Sequence, residues 1–185
     1  MRLDREEATQ RLIEHCVKKG TFTLTSGRQS DFYLDIKKAL MDSKLCDFIT
    51  SYIVQRVIRG PGRFNGVAGV ELGACPLVTG VSLEFFRMGR VSRSKALYIR
   101  KKPKDHGTGG QIEGLDLTSP GEEFILLEDV LTSGGSAFKG VNVLRAAGLV
   151  CNRVMAVVDR QEGAEMLLDH GLTVESIWTR SELMG

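Results

Sequence analysis

One stretch decides the fold of this chain: Phe124-Ile125-Leu126-Leu127-Glu128-Asp129-Val130-Leu131-Thr132-Ser133-Gly134-Gly135-Ser136. Its four consecutive apolar residues follow a Ser-Pro-Gly turn signal and predict a β-strand over residues 124–129 that is buried on both faces. The glycines and hydroxyls after the strand predict a tight loop, and the apolar periodicity beyond them predicts a helix over 135–147. A buried strand, a tight loop and a helix in this order are typical of an α/β fold with a parallel sheet.

The end of this strand has the chemistry of a ligand site. In open α/β sheets ligands bind at the carboxyl ends of the strands, and here that end carries the acids Glu128 and Asp129. The hydroxyls of Thr132, Ser133 and Ser136, with backbone N–H groups at the helix N-terminus, can surround a phosphate group. Because carboxylates repel phosphate, the acids are expected to bind vicinal ribose hydroxyls, directly or beside a hydrated divalent metal ion. The stretch therefore predicts a site for a phosphorylated sugar, and an ordinary strand–helix corner with capping residues is the alternative.

The rest of the chain alternates between strand and helix patterns. Capping-box spacing at Asp4 and Glu7 starts an amphipathic helix over 4–19, and short strands are predicted within 21–37. A helix from Ser43 to about Arg59 comes before a series of βαβ units. The predicted order is strand 64–70, helix 76–88, strand 95–100, loop 101–121, strand 124–129, helix 135–147, strand 153–159, helix 162–170 and strand 173–177. We expect one domain over 1–185, with 1–40 as a small N-terminal hood and 41–180 as the α/β core.

Composition limits the classes of protein to which the chain can belong. It has 185 residues, 42% of them hydrophobic, and no apolar stretch long enough to cross a membrane. The N-terminus lacks the apolar core of a signal peptide. The cysteines Cys16, Cys46, Cys75 and Cys151 have no metal-binding spacing, so we expect buried free thiols in the cytoplasm and no zinc site.

Positive charge is concentrated in one segment. Residues 87–106 contain eight basic residues and one acid, so against a total of +2 the remainder carries about −5. This distribution indicates a local anionic ligand rather than a nucleic-acid surface. The segment Arg100–Gly110, called the lid below, follows a predicted strand and opens a long glycine-rich loop. We interpret it as a cover for a leaving diphosphate, with His106 or Lys104 as a general acid, and a solvated surface loop is the alternative.

Taken together, these motifs resemble those of the phosphoribosyltransferases. The strand, acids and Thr/Ser/Gly loop of 124–136 are similar to the motif for phosphoribosyl diphosphate (PRPP) in type I phosphoribosyltransferases. The pattern R-K-x-x-K-x-H-G-x-x-x-x-I-E-G, from Arg100 to Gly114, resembles the catalytic loop of orotate phosphoribosyltransferases. That family's orotate loop, diphosphate loop and orotate-carboxylate segment resemble residues 22–35, 69–76 and 157–163. The resemblance covers about residues 10–177 and implies a type I phosphoribosyltransferase-like α/β fold, a parallel sheet flanked by helices with a small N-terminal hood and a long flexible catalytic loop.

The resemblance implies transfer of the 5-phosphoribosyl group from PRPP to orotate, which gives orotidine 5′-phosphate and diphosphate in pyrimidine nucleotide (UMP) synthesis. Catalytic roles are implied for Lys104, His106, Arg100, Lys101 and Asp129. PRPP binding is implied for Glu128, Asp129, Val130, Leu131, Thr132, Ser133, Gly134, Gly135, Ser136, Glu71, Leu72 and Gly73. Orotate binding is implied for Arg160, Thr132, Ser26, Phe32 and Tyr33. The Arg160 guanidinium can bind a carboxylate bidentately, and an ion pair with Asp159 or Glu162 is its alternative role.

The resemblance also implies a cofactor and partners. Mg²⁺ is the expected cofactor, held mainly by PRPP and water rather than by protein ligands. A homodimer is implied, in which lid residues act in the neighbouring subunit's site. No nucleic-acid or membrane partner is expected. The length leaves no room for fusion to the decarboxylase of the following step, and a separate decarboxylase partner stays possible.

Two positions depart from the family pattern, and two other functions stay open. Many members carry a lysine where this chain has Thr25, and some carry one where it has Gly73, which we interpret as differences between branches. The first alternative function is a phosphoribosyltransferase for another base, which would leave the Arg160 guanidinium without a carboxylate partner. The second is a PRPP-sensing regulator that binds nucleic acid, which the negative charge outside residues 87–106 argues against.

Overall fold

The structure is a computed structural model that describes residues 2–23, 29–60, 64–90, 94–103, 110–163 and 165–185. Its helices are α1 (Arg5–Cys16), α2 (Ile36–Met41), α3 (Ser43–Arg59), α4 (Cys75–Arg87), α5 (Gly135–Ala146), α6 (Glu165–Asp169) and α7 (Arg180–Met184). Its strands are β1 (Val17–Thr23), β2 (Gln29–Leu34), β3 (Gly66–Val70), β4 (Lys95–Ile99), β5 (Ile112–Glu113), β6 (Glu123–Leu131), β7 (Val150–Asp159) and β8 (Thr173–Thr179). A 3-10 turn, Leu115–Leu117, follows β5.

In the described part of the chain, six strands form the central sheet in the order β5-β4-β3-β6-β7-β8, and β1 pairs with β2 separately. The neighbours from β4 to β8 run parallel, whereas β5 is antiparallel to β4. Val67 is in register with Ile125, and Leu126 with Val154. Parallel pairing brings the carboxyl ends of β3, β6 and β7 to one edge of the sheet. The predicted fold class, a parallel sheet flanked by helices, is confirmed.

Residues of β6 alternate between two hydrophobic clusters, as successive side chains of a strand must. Ile125 and Leu127 pack in the cluster that contains α1, α3 and α4, whereas Phe124 and Leu126 pack with α5 and α6. Each of these four side chains is at most 1% exposed. Burying one such side chain contributes about 2 kcal/mol, so the continuous apolar run stabilises both faces of the sheet.

The N-terminal hood differs from the prediction in where its helices and strands lie. The predicted helix 4–19 ends at Cys16, because Val17 pairs with Leu34 in the antiparallel β1–β2 sheet. This long-range pairing overrides the helical pattern of the following residues. Helices α2 and α7 were not predicted, since helices of six and five residues are too short to show a helical period.

The predicted loop over 101–121 is interrupted by β5 and the 3-10 turn. Ile112 pairs with Ile99 and Glu113 pairs with Tyr98, so the chain returns to the edge of the sheet immediately after the lid. A strand of two residues carries no alternation that a sequence could reveal. Beyond the acids, β6 continues to Leu131 rather than ending at residue 129.

In the ranges described above, no helix is both long and apolar enough to cross a lipid bilayer. All four cysteines are free, as predicted. Cys16 and Cys151 are buried, and burial raises the pKa of each thiol to about 11. Cys46 and Cys75 are only half-buried, so the prediction of burial holds for two of the four.

Candidate active site

Glu128 is a nearly buried acid close to the end of β6, with 6% of its surface exposed. Among the described residues, its Oε1 atom has no hydrogen-bond partner. Burial first, and then the charge of Asp129, raise the pKa of Glu128 to about 7, although the Ser136 hydroxyl and Lys101 act in the opposite direction. A buried carboxyl group with an open acceptor atom at this edge is suited to a ligand hydroxyl.

Asp129 lies against the loop that follows β3. Its Oδ1 accepts a hydrogen bond from the Val130 N–H at 2.9 Å. Its other carboxylate oxygen is so close to Gly73 that any side chain at position 73 would overlap it. In the same loop, the Glu71 carboxylate accepts a hydrogen bond from the Lys101 N–H at 2.8 Å. One of the predicted acids, the predicted diphosphate loop and the start of the lid therefore meet at one edge of the sheet.

The loop between β6 and α5 turns at Gly134, whose φ of 77° is strained for residues with a side chain. Thr132, Ser133 and Ser136 are exposed around this turn, and α5 begins at Gly135. Because α5 has 12 residues, its N-terminus directs several backbone N–H groups and a partial positive charge at this loop. The arrangement is suited to a phosphate group.

Three predicted PRPP-binding residues have different surroundings. Leu131 is 2% exposed and belongs to the core, so only its backbone can contact a ligand. Its carbonyl oxygen accepts a hydrogen bond from the Arg160 N–H at 2.9 Å, which joins the end of β6 to the loop after β7. Val130 is half-buried, and Leu72 is 73% exposed in the loop after β3.

The two ends of the lid are joined to each other. The Arg100 N–H donates to the Gln111 carbonyl at 2.9 Å, and the Gln111 side chain donates to the Arg100 carbonyl at 2.9 Å. The Arg100 guanidinium forms an ion pair with Glu113 at 2.6 Å rather than with the acids of β6. Lys104 and His106, predicted as catalytic residues, lie outside the described residues.

A cleft of about 540 Å³ opens between the start of the lid and α5. Its polar side chains include Arg100, Lys101, Lys139 and Ser136, and Val70 is part of its apolar wall. These three cationic side chains lie near the loop 132–136 and make the cleft positively charged, as a site for a phosphorylated ligand must be.

Arg160 follows β7 and is 8% exposed. It forms an ion pair with Glu162 at 2.7 Å, and its Cζ lies 4.7 Å from the centre of the Phe32 ring. Phe32 is 3% exposed, Tyr33 is 42% exposed, and Ser26 lies outside the described residues. Two predicted orotate-binding residues, Arg160 and Phe32, are therefore in contact. The alternative ion pair of Arg160 with Glu162 is present as well.

The sequence analysis missed two cations at this edge. Lys37 in α2 lies 3.2 Å from the Asp35 carboxylate, and the bond to Asp35, followed by the charges of Asp35 and Asp129, raises the pKa of Lys37. Arg180, the first residue of α7, has its Cζ 5.0 Å from the centre of the Phe32 ring. Ligands bind at the carboxyl ends of parallel strands, so Arg180 would have been identified if β8 had been predicted at its full length.

No protein-family model matches the chain, whereas individual relatives do. The orotate phosphoribosyltransferase of Sorangium cellulosum is 41% identical over 182 residues, which cover 98% of this chain and 93% of that protein. The orotate phosphoribosyltransferase of Pyrococcus furiosus is 40% identical over 158 residues, which cover 85% and 82%. The solved orotate phosphoribosyltransferase of Mycobacterium tuberculosis H37Rv in complex with PRPP has a TM-score of 0.75 at 26% identity, covering 99% of this chain and 100% of that one.

Proposed function

This chain belongs to the orotate phosphoribosyltransferase family, and we infer that it transfers the 5-phosphoribosyl group of PRPP to orotate. The products are orotidine 5′-phosphate and diphosphate, in the synthesis of pyrimidine nucleotides. The observation that supports this inference most is the contact between the end of β6 and the loop after β7. The acids Glu128 and Asp129 and the loop 132–136 lie at the end of β6. Arg160 follows β7, and its backbone N–H donates a hydrogen bond to the Leu131 carbonyl at 2.9 Å. Ribose, phosphate and a base with a carboxylate can therefore bind side by side.

The residues after β6 bind the phosphoribosyl group in this proposal. The loop from Thr132 to Ser136 holds the 5′-phosphate, and Glu128 and Asp129 accept hydrogen bonds from the ribose hydroxyls. When the bond between C1′ and diphosphate breaks, positive charge develops on the ribose, and the two carboxylates stabilise it. The open Oε1 of Glu128 supports this role, since it can accept a hydrogen bond without losing a protein partner.

The loop after β3 and the lid hold the departing diphosphate. The backbone N–H groups of Leu72 and Gly73 contact it first, since the Glu71 N–H already donates to the Ile99 carbonyl at 2.8 Å. Arg100 and Lys101, with the proposed Lys104 and His106, then offset its charge. The contact of Gly73 with Asp129 supplies a physical reason for the glycine at this position. A lysine there would displace the carboxylate that this site uses.

Mg²⁺, when bound with PRPP, supplies positive charge that stabilises the leaving diphosphate. We assign its direct ligands to diphosphate oxygens and water, because Mg²⁺ usually keeps several waters. Glu128 and Asp129 suit this arrangement, since carboxylates accept hydrogen bonds from such waters and Oε1 of Glu128 is open. No set of three or more His, Cys, Asp or Glu side chains in the described ranges is placed to hold a metal.

Orotate binds between the loop after β7 and the hood in this proposal. The five N–H donors of Arg160 can serve Glu162 and the orotate carboxylate together. Phe32 and Tyr33 of β2, with Ser26 and Thr132, contact the pyrimidine ring. The support for this role is that Arg160 is already held in place by Phe32 and Glu162 before substrate binds.

The enzyme acts as a homodimer with lid residues in trans. Leu83 and Phe86 of α4 and Met88 immediately after it are 49%, 58% and 47% exposed. Such apolar surface is typical of a protein interface. Mixing equal amounts of Lys104→Ala and Arg160→Ala subunits, at an orotate concentration far below the KM of Arg160→Ala, tests the arrangement. If the lid acts in trans, half of the dimers are mixed and each has one intact site, so about a quarter of wild-type activity returns. Activity no greater than the average of the two variants would contradict it.

The cytoplasm is the proposed location, since all four cysteines are free thiols. A separate decarboxylase that uses the product stays a prediction. Co-purification of the untagged decarboxylase of the same cell with this chain would test it.

The reaction is tested by the absorbance of orotate in the presence of PRPP and Mg²⁺, with uracil, hypoxanthine and adenine in parallel. We expect consumption of orotate alone. Lys104→Ala is expected to lower kcat and Arg160→Ala to raise KM for orotate, while the exposed control variants Lys44→Ala and Arg59→Ala have no effect. Turnover of another base instead would support a different phosphoribosyltransferase. PRPP binding without turnover of any base would support a PRPP-sensing regulator and overturn the proposal that this chain is an enzyme.

A further inference from the structure

Two guanidinium groups contact one buried aromatic ring at the base site. Cζ of Arg160 lies 4.7 Å and Cζ of Arg180 lies 5.0 Å from the centre of the Phe32 ring. Both distances are within the range of a cation–π interaction. Because the ring is shared, the two guanidinium carbons are at most about 10 Å apart, less than a Debye length in dilute buffer. Phe32 itself is 3% exposed, so the ring is fixed by its surroundings.

The position of Arg180 follows from the register of the sheet. Strands β7 and β8 are parallel neighbours, and Asp159 is paired with Thr179. Arg160 and Arg180 are therefore the next residues of two adjacent strands, at the edge where ligands bind. The sheet itself brings two arginines from distant parts of the sequence to the same ring.

The first turn of α7 is fixed to the loop that carries Arg160. The Ser181 N–H donates a hydrogen bond to the Gln161 side chain at 3.0 Å, and the Gln161 N–H donates to Asp159 at 2.7 Å. Thr179 and Glu182 form a capping box at the start of the helix. A short helix with this cap and this link keeps Arg180 in a defined place.

A second set of contacts holds α7 to the rest of the molecule. Arg5 of α1 forms an ion pair with Glu182 at 2.8 Å and donates to the Ile177 carbonyl at 3.0 Å. Leu183 is 4% exposed. Helix α7 is therefore fixed to α1 and β8 as well as to the loop that carries Arg160.

We propose that Arg180 is a specificity-determining residue of the base site, which acts with Arg160 to select a pyrimidine that carries a carboxylate. Both guanidinium groups lie beside one ring, with the Glu162 carboxylate paired to Arg160, and an anionic base is attracted by both of them. A neutral pyrimidine gains nothing from the second charge. The proposal rests on the inferred use of orotate.

The test compares Arg180→Gln, which removes the charge, with Arg180→Lys, which keeps it. For Arg180→Gln we expect KM for orotate to rise about tenfold, with kcat and KM for PRPP within about twofold of the wild type. The rise of this KM with salt concentration should also be smaller than in the wild type, because one screened charge is gone. Arg180→Lys should have a KM for orotate, and a salt dependence of this KM, close to those of the wild type.

A purely structural role for Arg180 predicts different results. It would change both Michaelis constants together, lower Tm and leave the salt dependence unchanged. The control Arg5→Ala weakens the attachment of the same helix without removing charge from the base site, so it should lower Tm and spare the preference for orotate over uracil. Wild-type turnover of orotate with an unchanged KM in Arg180→Gln would overturn the proposal, whereas no wild-type turnover of orotate would overturn the proposed function.

Discussion

Replacing Glu128 by glutamine should change how the stability of the protein depends on pH. In the folded protein, burial and the charge of Asp129 raise the pKa of Glu128 from an ordinary value of 4.5 to about 7. Between these values the folded state holds a proton that the unfolded state has released. The free energy of unfolding therefore falls as pH rises through this window, and it stays at the lower value above pH 7.

The size of the effect follows from the two pKa values. Each pKa unit corresponds to about 1.4 kcal/mol, so the complete loss is about 3 kcal/mol, most of which falls between pH 5 and pH 8. Glutamine has nearly the same shape and no charge to bury. Glu128→Gln should therefore be more stable than the wild type by about 1 kcal/mol at pH 5 and by about 3 kcal/mol at pH 8, with much lower activity.

Urea unfolding of both proteins at pH 5, 6, 7 and 8 measures this difference directly. Titrating groups far from position 128 cancel when the two proteins are compared at the same pH. The control Asp116→Asn removes an exposed carboxylate in the 3-10 turn and should follow the wild type at every pH. A constant difference between Glu128→Gln and the wild type from pH 5 to pH 8 would refute the reasoning.

Three further predictions concern the site and the core. Gly73→Ala should push the Asp129 carboxylate aside and lower kcat/KM for PRPP about 100-fold with little change in Tm, and unchanged kinetics would show that the contact is unimportant. The kcat/KM of the wild type should fall with decreasing pH below about 7, because Glu128 must be ionised in the free enzyme; a flat profile from pH 5.5 to 8 would contradict this. Thr9→Val should cost about 1–3 kcal/mol in urea unfolding, because it removes the acceptor of the buried Trp178 indole N–H at 2.8 Å; Thr9→Ser, which keeps the hydroxyl, should cost less.

The elements that the sequence predicted well have strong local signals. Helix α3 begins at Ser43, where Asp42 accepts hydrogen bonds from the Lys44 and Leu45 N–H groups, and it ends before Gly60. Cap, apolar stripe and terminal glycine all lie within one continuous segment of the chain. Strand β6 was equally clear, because its apolar run is long and is followed by a loop of unusual composition.

The features that could not be predicted depend on contacts between distant residues. The pairing of Val17 with Leu34 and that of Ile99 with Ile112 set strand positions against the local pattern. In the site, Arg160 was predicted from the resemblance of residues 157–163 to the orotate-carboxylate segment of the family, at the end of a predicted strand. Arg180 was not found, since β8 extends two residues beyond the predicted end at 177.

The two hydrogen bonds between Arg100 and Gln111 affect which changes of sequence this enzyme can tolerate. Because both ends of the lid are tied together at the edge of the sheet, the segment between them forms a closed loop, and doubling the length of such a loop costs only about 0.6 kcal/mol. Insertions, deletions and substitutions between these two residues can therefore accumulate without threatening the fold. Under the proposed mechanism, changes in this segment alter the speed of the reaction while the sheet, which carries the proposed binding residues, stays as it is.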